Sequence, residues 1–155
     1  MNVVEGDLIK LAQEGEFDVI IHGCNCFCAM GAGIAKGIKQ AFPEAYQADL
    51  ATPKGLQSKL GTISTAKLKV KGKQLVIVNA YTQYHWKGSG NKADYQAIRN
   101  VFKVIKHHFS GLTIGYPLIG AGLAGGDWEL ISSIIDQELA GEEHTLVKFK
   151  SMADK

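Results

Sequence analysis

Two glycine-rich segments, residues 25–33 and 120–126, carry the strongest chemical signal in this chain. Each follows an apolar run with strand character and precedes a segment with helical spacing. Small residues let backbone N–H groups come close to an anion, and the positive end of the following helix adds a favourable partial charge. A pair of such units suits a diphosphate. Gly31-Ala32-Gly33 and Gly120-Ala121-Gly122 are the sharpest candidates, with ordinary tight turns as the alternative. The first segment is not a dinucleotide fingerprint, because Gly31, Gly33 and Gly37 space the third glycine one residue too far, nor a phosphate loop of the Walker kind, because no Gly-Lys-Ser/Thr closes it.

His22 ends the apolar run before the first glycine segment, where an imidazole can act as a general acid or base near neutral pH; a hydrogen-bonded core histidine is the competing reading. Cys24, Cys26 and Cys28 alternate with it. Alternate residues of one extended stretch do not surround an ion, so no metal site is expected there, and small buried fillers are the preferred role. His85, His107, His108 and His144 show no partner pattern and read as surface residues.

The elements that must hold these segments follow from periodicity. Val3 and Val4 open a short strand; Leu8, Ile9, Leu11 and Ala12 fit a short helix; the run from Phe17 to His22 reads as a central strand buried on both faces. Ile34, Ile38, Ala41, Phe42 and Ala45 mark an amphipathic helix from Gly33 to about Leu50, interrupted near Pro43. Leu60 to Lys69 and Gln74 to Thr82 flank a hairpin turn at residues 70–73. Ala97 to Phe109 has helical spacing and stops at Ser110-Gly111, a strand is expected over Leu112 to Ile119, and Asp127 stands where it would cap a helix carrying Trp128, Ile131, Ile134 and Ile135. Thr145 to Phe149 is the last strand. This order predicts an α/β protein, a three-layer α/β/α sandwich with a mixed central sheet. Because ligands in open α/β sheets bind outside the carboxyl ends of strands, both glycine segments should face one cleft.

The 155 residues match one domain, and 46% hydrophobic with 21% charged residues is ordinary for a globular chain. The formal charge of +2, with Lys67, Lys69, Lys71 and Lys73 alternating with other residues, predicts a wet hairpin face and disfavours a general nucleic-acid-binding role. No apolar segment reaches the roughly 18 residues of a membrane span, and three closely spaced cysteines cannot frame disulfides, so a cytoplasmic protein is expected.

In composition and order, Val4-Glu5-Gly6-Asp7-Leu8, Ile20-Ile21-His22-Gly23-Cys24-Asn25-Cys26, Met30-Gly31-Ala32-Gly33-Ile34-Ala35 and Pro117-Leu118-Ile119-Gly120-Ala121-Gly122-Leu123 resemble the macrodomain signature over almost the whole chain. Within that family the chain is most similar to the branch of ADP-ribose 1''-phosphate phosphatases and small deacylating ADP-ribosyl hydrolases. The resemblance implies that Asp7 accepts from the adenine amino group with Leu8 beside it, a role that competes with helix capping. Gly31, Ala32, Gly33, Ile34 and Ala35 would wrap one side of the diphosphate and distal ribose, and Ile119, Gly120, Ala121, Gly122 and Leu123 the other. Asn25 would touch the distal ribose, unless it only stabilises its own turn.

Tyr81 and Tyr84 are candidates for stacking on the adenine or ribose, with plain packing as the alternative, and Asn79 and Gln83 for reaching the distal ribose. Related deacylases use a lysine near Gln83 and an aspartate near Ala124; neither residue type stands at those positions here. That absence favours hydrolysis of ADP-ribose 1''-phosphate to ADP-ribose and phosphate, with His22, Asn25 and Asp127 as candidate catalytic residues, Asp127 positioning water if it is not simply a helix cap. The alternatives are removal of ADP-ribose from protein or nucleic acid, and a reader that binds without turnover. No cofactor or metal is expected; the expected partners are ADP-ribose or its 1''-phosphate and ADP-ribosylated macromolecules, with the chain a monomer.

Overall fold

The computed structural model describes residues 1–88 and 90–150. Six strands form one sheet: β1 (Asn2–Gly6), β2 (Val19–Cys24), β3 (Ile63–Val70), β4 (Lys73–Tyr81), β5 (Ile114–Tyr116) and β6 (His144–Phe149), in the order β1-β6-β5-β2-β4-β3. All neighbours are parallel except β3, which runs antiparallel to β4, so the sheet is mixed. The connections are helices: α1 (Leu8–Gln13), α2 (Gly33–Ala41), α3 (Pro43–Leu50), α4 (Tyr95–Phe109) and α5 (Trp128–Glu138).

Strand alternation sorts the core into two layers. Val19 and Ile21 of β2 and Val76 and Val78 of β4 point to the face covered by Ile98, Phe102 and Ile105 of α4 and Ile131 and Ile135 of α5. Ile20, Leu75 and Ile77 point to the other face, beneath Leu8 and Ala12 of α1, Ile38 of α2 and Ala45 of α3. The three-layer sandwich expected from the element order is therefore present. Pro43 sits at the first position of α3, where its missing N–H has no cost, and divides the expected long helix into α2 and α3. Between β3 and β4, Lys71 at φ 52° and Gly72 at φ 77° make a two-residue turn whose twist matches that of the strands.

The expected strand over Leu112 to Ile119 is shorter, Ile114–Tyr116. Pro117 has no N–H for the ladder, and the chain bends there, with Ile119 N donating to Pro117 O at 2.7 Å. That bend turns the second glycine segment over the end of the sheet. Among the described residues, no helix is long and apolar enough to cross a membrane.

Candidate functional site

The carboxyl ends of β1, β6, β5, β2 and β4 open on one cleft of about 940 Å³. Gly31 to Ala35 form one wall, and Ile119, Gly120, Gly122 and Leu123 the opposite one. The walls meet at one point, where a Cβ on Gly33 would lie 3.1 Å from the Leu123 side chain; Gly33 also has φ 59°, so both backbone and contact call for glycine.

The first wall is the open end of α2. Asp7, Asp94 and Asp127 cap α1, α4 and α5 through their carboxylates, but the residue before α2 is Ala32, which has no capping group. The N–H groups of residues 31–35 donate to no described protein atom. On the facing wall the N–H groups of Gly120, Gly122 and Leu123 are likewise without acceptors. A cleft with unpartnered donors on both sides and a helix dipole behind one of them attracts an anion. Gly31 and Gly122 strengthen this reading: neither has a positive φ, and a Cβ on either would meet nothing within 4 Å. No packing inside the protein calls for glycine there, whereas a group occupying the cleft would.

Asp7 lines the β1 end of the cleft and also caps α1, its Oδ1 accepting from Ile9 N at 3.0 Å and Lys10 N at 3.2 Å. The cap uses one oxygen and leaves Oδ2 for a ligand, so the two expected roles are compatible. Asn25 also lines the cleft; its Oδ1 accepts from Phe27 N at 2.9 Å and its Nδ2 donates to Ala29 O at 2.9 Å. It therefore staples its own turn and keeps one amide hydrogen. Gln83 lines the β4 end, with Nε2 donating to His85 O at 2.9 Å.

Other candidates lie elsewhere. His22, Asn79 and Tyr81 are completely buried beneath the first wall and do not line the cleft. Their parity on β2 and β4 points them toward α3: Asn79 Nδ2 donates to Ala45 O at 2.9 Å and to Ser64 Oγ at 3.0 Å, and Tyr81 OH donates to Asp49 Oδ1 at 2.7 Å. Tyr81 thus has no face for stacking, and Asn79 no free arm toward a ribose. Tyr84 is half-buried and donates its hydroxyl to Gly55 O at 2.8 Å. Asp127 is exposed and away from the cleft, capping α5 through Glu129 N at 3.0 Å. Ala121 is half-buried against the core and does not line the wall.

Two histidines read as surface residues are not. His144 is buried, with Nδ1 2.6 Å from Tyr116 OH, and His85 is half-buried, stacked on Trp86 with ring centroids 4.4 Å apart. Trp86, Lys92 and Phe149 line the cleft but carried no motif. Phe149 ends β6, whereas Trp86 and Lys92 lie in the segment between β4 and α4, which carries no local signal. Among the described residues no group of three or more His, Cys, Asp and Glu side chains is placed to hold a metal ion.

The His22 environment fixes its protonation. Asn79 spends its NH₂ on Ala45 and Ser64, so Oδ1 faces His22, and Nε2 carries the proton across the 2.6 Å contact. Burial lowers the pKa from 6.5 to about 4, against a smaller raising effect of the Asn79 bond. The folded state thus prefers neutral imidazole, and this stability is complete above the unfolded pKa of 6.5 and is lost as pH falls toward 4, about 3 kcal/mol in all. Urea unfolding at pH 7.5 and pH 4 should show that loss, and His22→Gln should reduce it; an identical pH dependence in the variant would contradict the assignment. Burial also lowers the pKa of His144, which adds a loss of the same sign that the variant retains.

Comparison with known proteins agrees with this geometry. A family model described as Macro domain matches residues 21–135. An uncharacterized 17.5 kDa protein of Enterobacteria phage T4, from the tk-vs intergenic region, is 33% identical over 159 residues, covering 96% of this chain and 96% of that protein. The ADP-ribose glycohydrolase OARD1 of Bos taurus is 31% identical over 86% of this chain and 80% of its own length. An ADP-ribose 1''-phosphate phosphatase of Aspergillus oryzae is 46% identical over only 43 residues, 28% of this chain and 20% of that protein. Among solved structures, the macrodomain of Thermus aquaticus DarG superposes with a TM-score of 0.73 at 23% identity, over 97% of both chains. With the family model covering most of the chain and a phage relative 33% identical over 96% of it, this chain belongs to the macrodomain family.

Proposed function

We propose that the chain binds ADP-ribose in the cleft and hydrolyses the bond to the substituent on C1'' of the distal ribose, with ADP-ribose 1''-phosphate as substrate. The observation that carries this reading is the set of unpartnered backbone N–H groups on the two walls, residues 31–35 and Gly120, Gly122 and Leu123, which offers a diphosphate donors from both sides. Asp7 Oδ2 then takes the adenine amino group at the β1 end, and Asn25 and Gln83 meet the distal ribose near β2 and β4.

The chemistry at that end relies on placement. Among the described residues lining it there is no imidazole or carboxylate, so as water attacks phosphorus its proton passes to an oxygen of the substrate's own phosphate and on to the departing C1'' oxygen, breaking that P–O bond and leaving ADP-ribose and inorganic phosphate. The protein contributes orientation of the distal sugar and fixed donors near the developing charge. His22, neutral and beneath the wall, supports the β2 end from below and takes no part in proton transfer in this reading.

A second reading, release of ADP-ribose from a modified macromolecule, is favoured by the name of the bovine relative, whose match runs over most of the chain. Against it stands the absence of the lysine near Gln83 and the aspartate near Ala124 that related deacylases use. Chelator-treated protein incubated with ADP-ribose 1''-phosphate, and separately with a peptide carrying ester-linked ADP-ribose, distinguishes the two. Phosphate release with the peptide untouched is expected. Release of ADP-ribose from the peptide alone would replace the first reading with the second, and binding of ADP-ribose with neither reaction would leave a reader.

A further inference from the structure

We infer that Lys92 is the binding residue for the substituent on C1'' and makes the cleft selective for an anionic group there. The inference rests on the reading of the cleft as an ADP-ribose site and adds what the distal end is built to hold.

Apart from the buried thiol of Cys24, the described residues lining the cleft include two ionisable side chains, Asp7 and Lys92. Asp7 follows β1, the edge strand, whereas Lys92 lies between β4 and α4 with its N–H bonded to Ala124 on the loop after β5. The cleft therefore carries a carboxylate for a donor such as an amino group after β1, and an ammonium for an acceptor on the segment that meets the second glycine loop.

Lys92 is held in place by its backbone. Its N–H donates to Ala124 O at 2.7 Å, the next residue is fixed by Ala93 N donating to Asn91 Oδ1 at 2.8 Å, and Asp94 N donates to Thr82 O at 2.8 Å. The segment also presses on the second glycine loop, where a Cβ on Gly125 would lie 3.0 Å from Gly90 O. The side chain is half-buried, Nζ donates to Gly88 O at 3.3 Å, and Lys92 takes part in none of the ion pairs found among the described residues. An ammonium with three donors and one carbonyl partner among the described residues has two left for a ligand. A phosphate monoester on C1'' matches that charge, whereas a free hydroxyl or a neutral amide does not.

The test is displacement of a fluorescent ADP-ribose analogue, read by stopped flow before turnover, by ADP-ribose and by ADP-ribose 1''-phosphate. Wild type should prefer the 1''-phosphate at least tenfold, equivalent to 1.4 kcal/mol. Lys92→Met should bring that ratio near one with ADP-ribose affinity changed less than twofold, and Lys92→Arg should keep most of the preference. A wild-type ratio near one, or a preference that survives in Lys92→Met, overturns this inference and leaves the ADP-ribose reading intact. No binding of either ligand overturns both.

Discussion

Asp49→Ala should lower the unfolding free energy by about 3–5 kcal/mol, the typical cost of stranding one partner of a buried ion pair. Asp49 and Lys59 have side-chain exposures of 1% and 3%, with Lys59 Nζ 3.8 Å from Asp49 Oδ1. Asp49 also accepts from Tyr81 OH at 2.7 Å, and the Lys59 ammonium lies 4.5 Å from the centre of the Tyr81 ring. Without the carboxylate, a buried cation would retain only weak partners: Cys26 O at 3.4 Å, Pro53 O at 3.2 Å and Cys28 Sγ at 3.5 Å. Those contacts tie α3 and the segment before β3 to the turn that carries Asn25, so the loss should also loosen the first wall. Asp49→Leu combined with Lys59→Met removes both charges and should recover most of the loss. Equilibrium urea unfolding measures both effects, and a change below about 1 kcal/mol for Asp49→Ala would mean that the pair adds little to stability.

Gly31→Val and Gly122→Val should each weaken ADP-ribose binding at least 100-fold, about 2.7 kcal/mol, with unfolding free energy changed by less than about 1 kcal/mol. A Cβ at either position meets nothing within 4 Å and neither residue has a positive φ, so the added side chain enters open cleft without strain. The two positions lie on opposite walls and share no packing, which makes a common structural failure a poor explanation for a common loss. Calorimetric titration beside thermal unfolding separates the outcomes. Retained affinity in both variants would place the ligand elsewhere.

The same positions show what was legible in the sequence. Lys71-Gly72, Pro43 and the capping aspartates Asp7 and Asp127 announce themselves locally, because turn twist, a missing N–H and a short carboxylate act within a few residues. The two glycine segments were legible for the same reason, since a strand, a loop and a helix follow one another in the chain. The cap on Asp127 was legible; that Asp127 does not line the cleft was not.

What escaped depends on contacts distant in sequence. His22, Asn79 and Tyr81 stand at strand ends that do reach the cleft, but their alternation aims them under α3, with Asn79 meeting Ala45 and Tyr81 meeting Asp49. Whether a side chain at a strand end reaches the cleft depends on how far the covering helix extends; α3 packs on β3 and β4, and His22 is held in that layer by Asn79. His144 lacks a local partner because Tyr116 lies on the neighbouring strand, 28 residues earlier. Lys92 belongs to the site only because its segment is bonded to Ala124 on the second glycine loop. Pairing of two loops leaves no periodic signal in either.

The most direct test of the central claim is to titrate ADP-ribose into uniformly ¹⁵N-labelled protein and follow the backbone amide resonances. Saturable shifts are expected at residues 31–35 and at Gly120, Gly122 and Leu123, whose N–H groups gain acceptors. Unchanged resonances at both walls with millimolar ligand, or shifts confined to other faces, would contradict it.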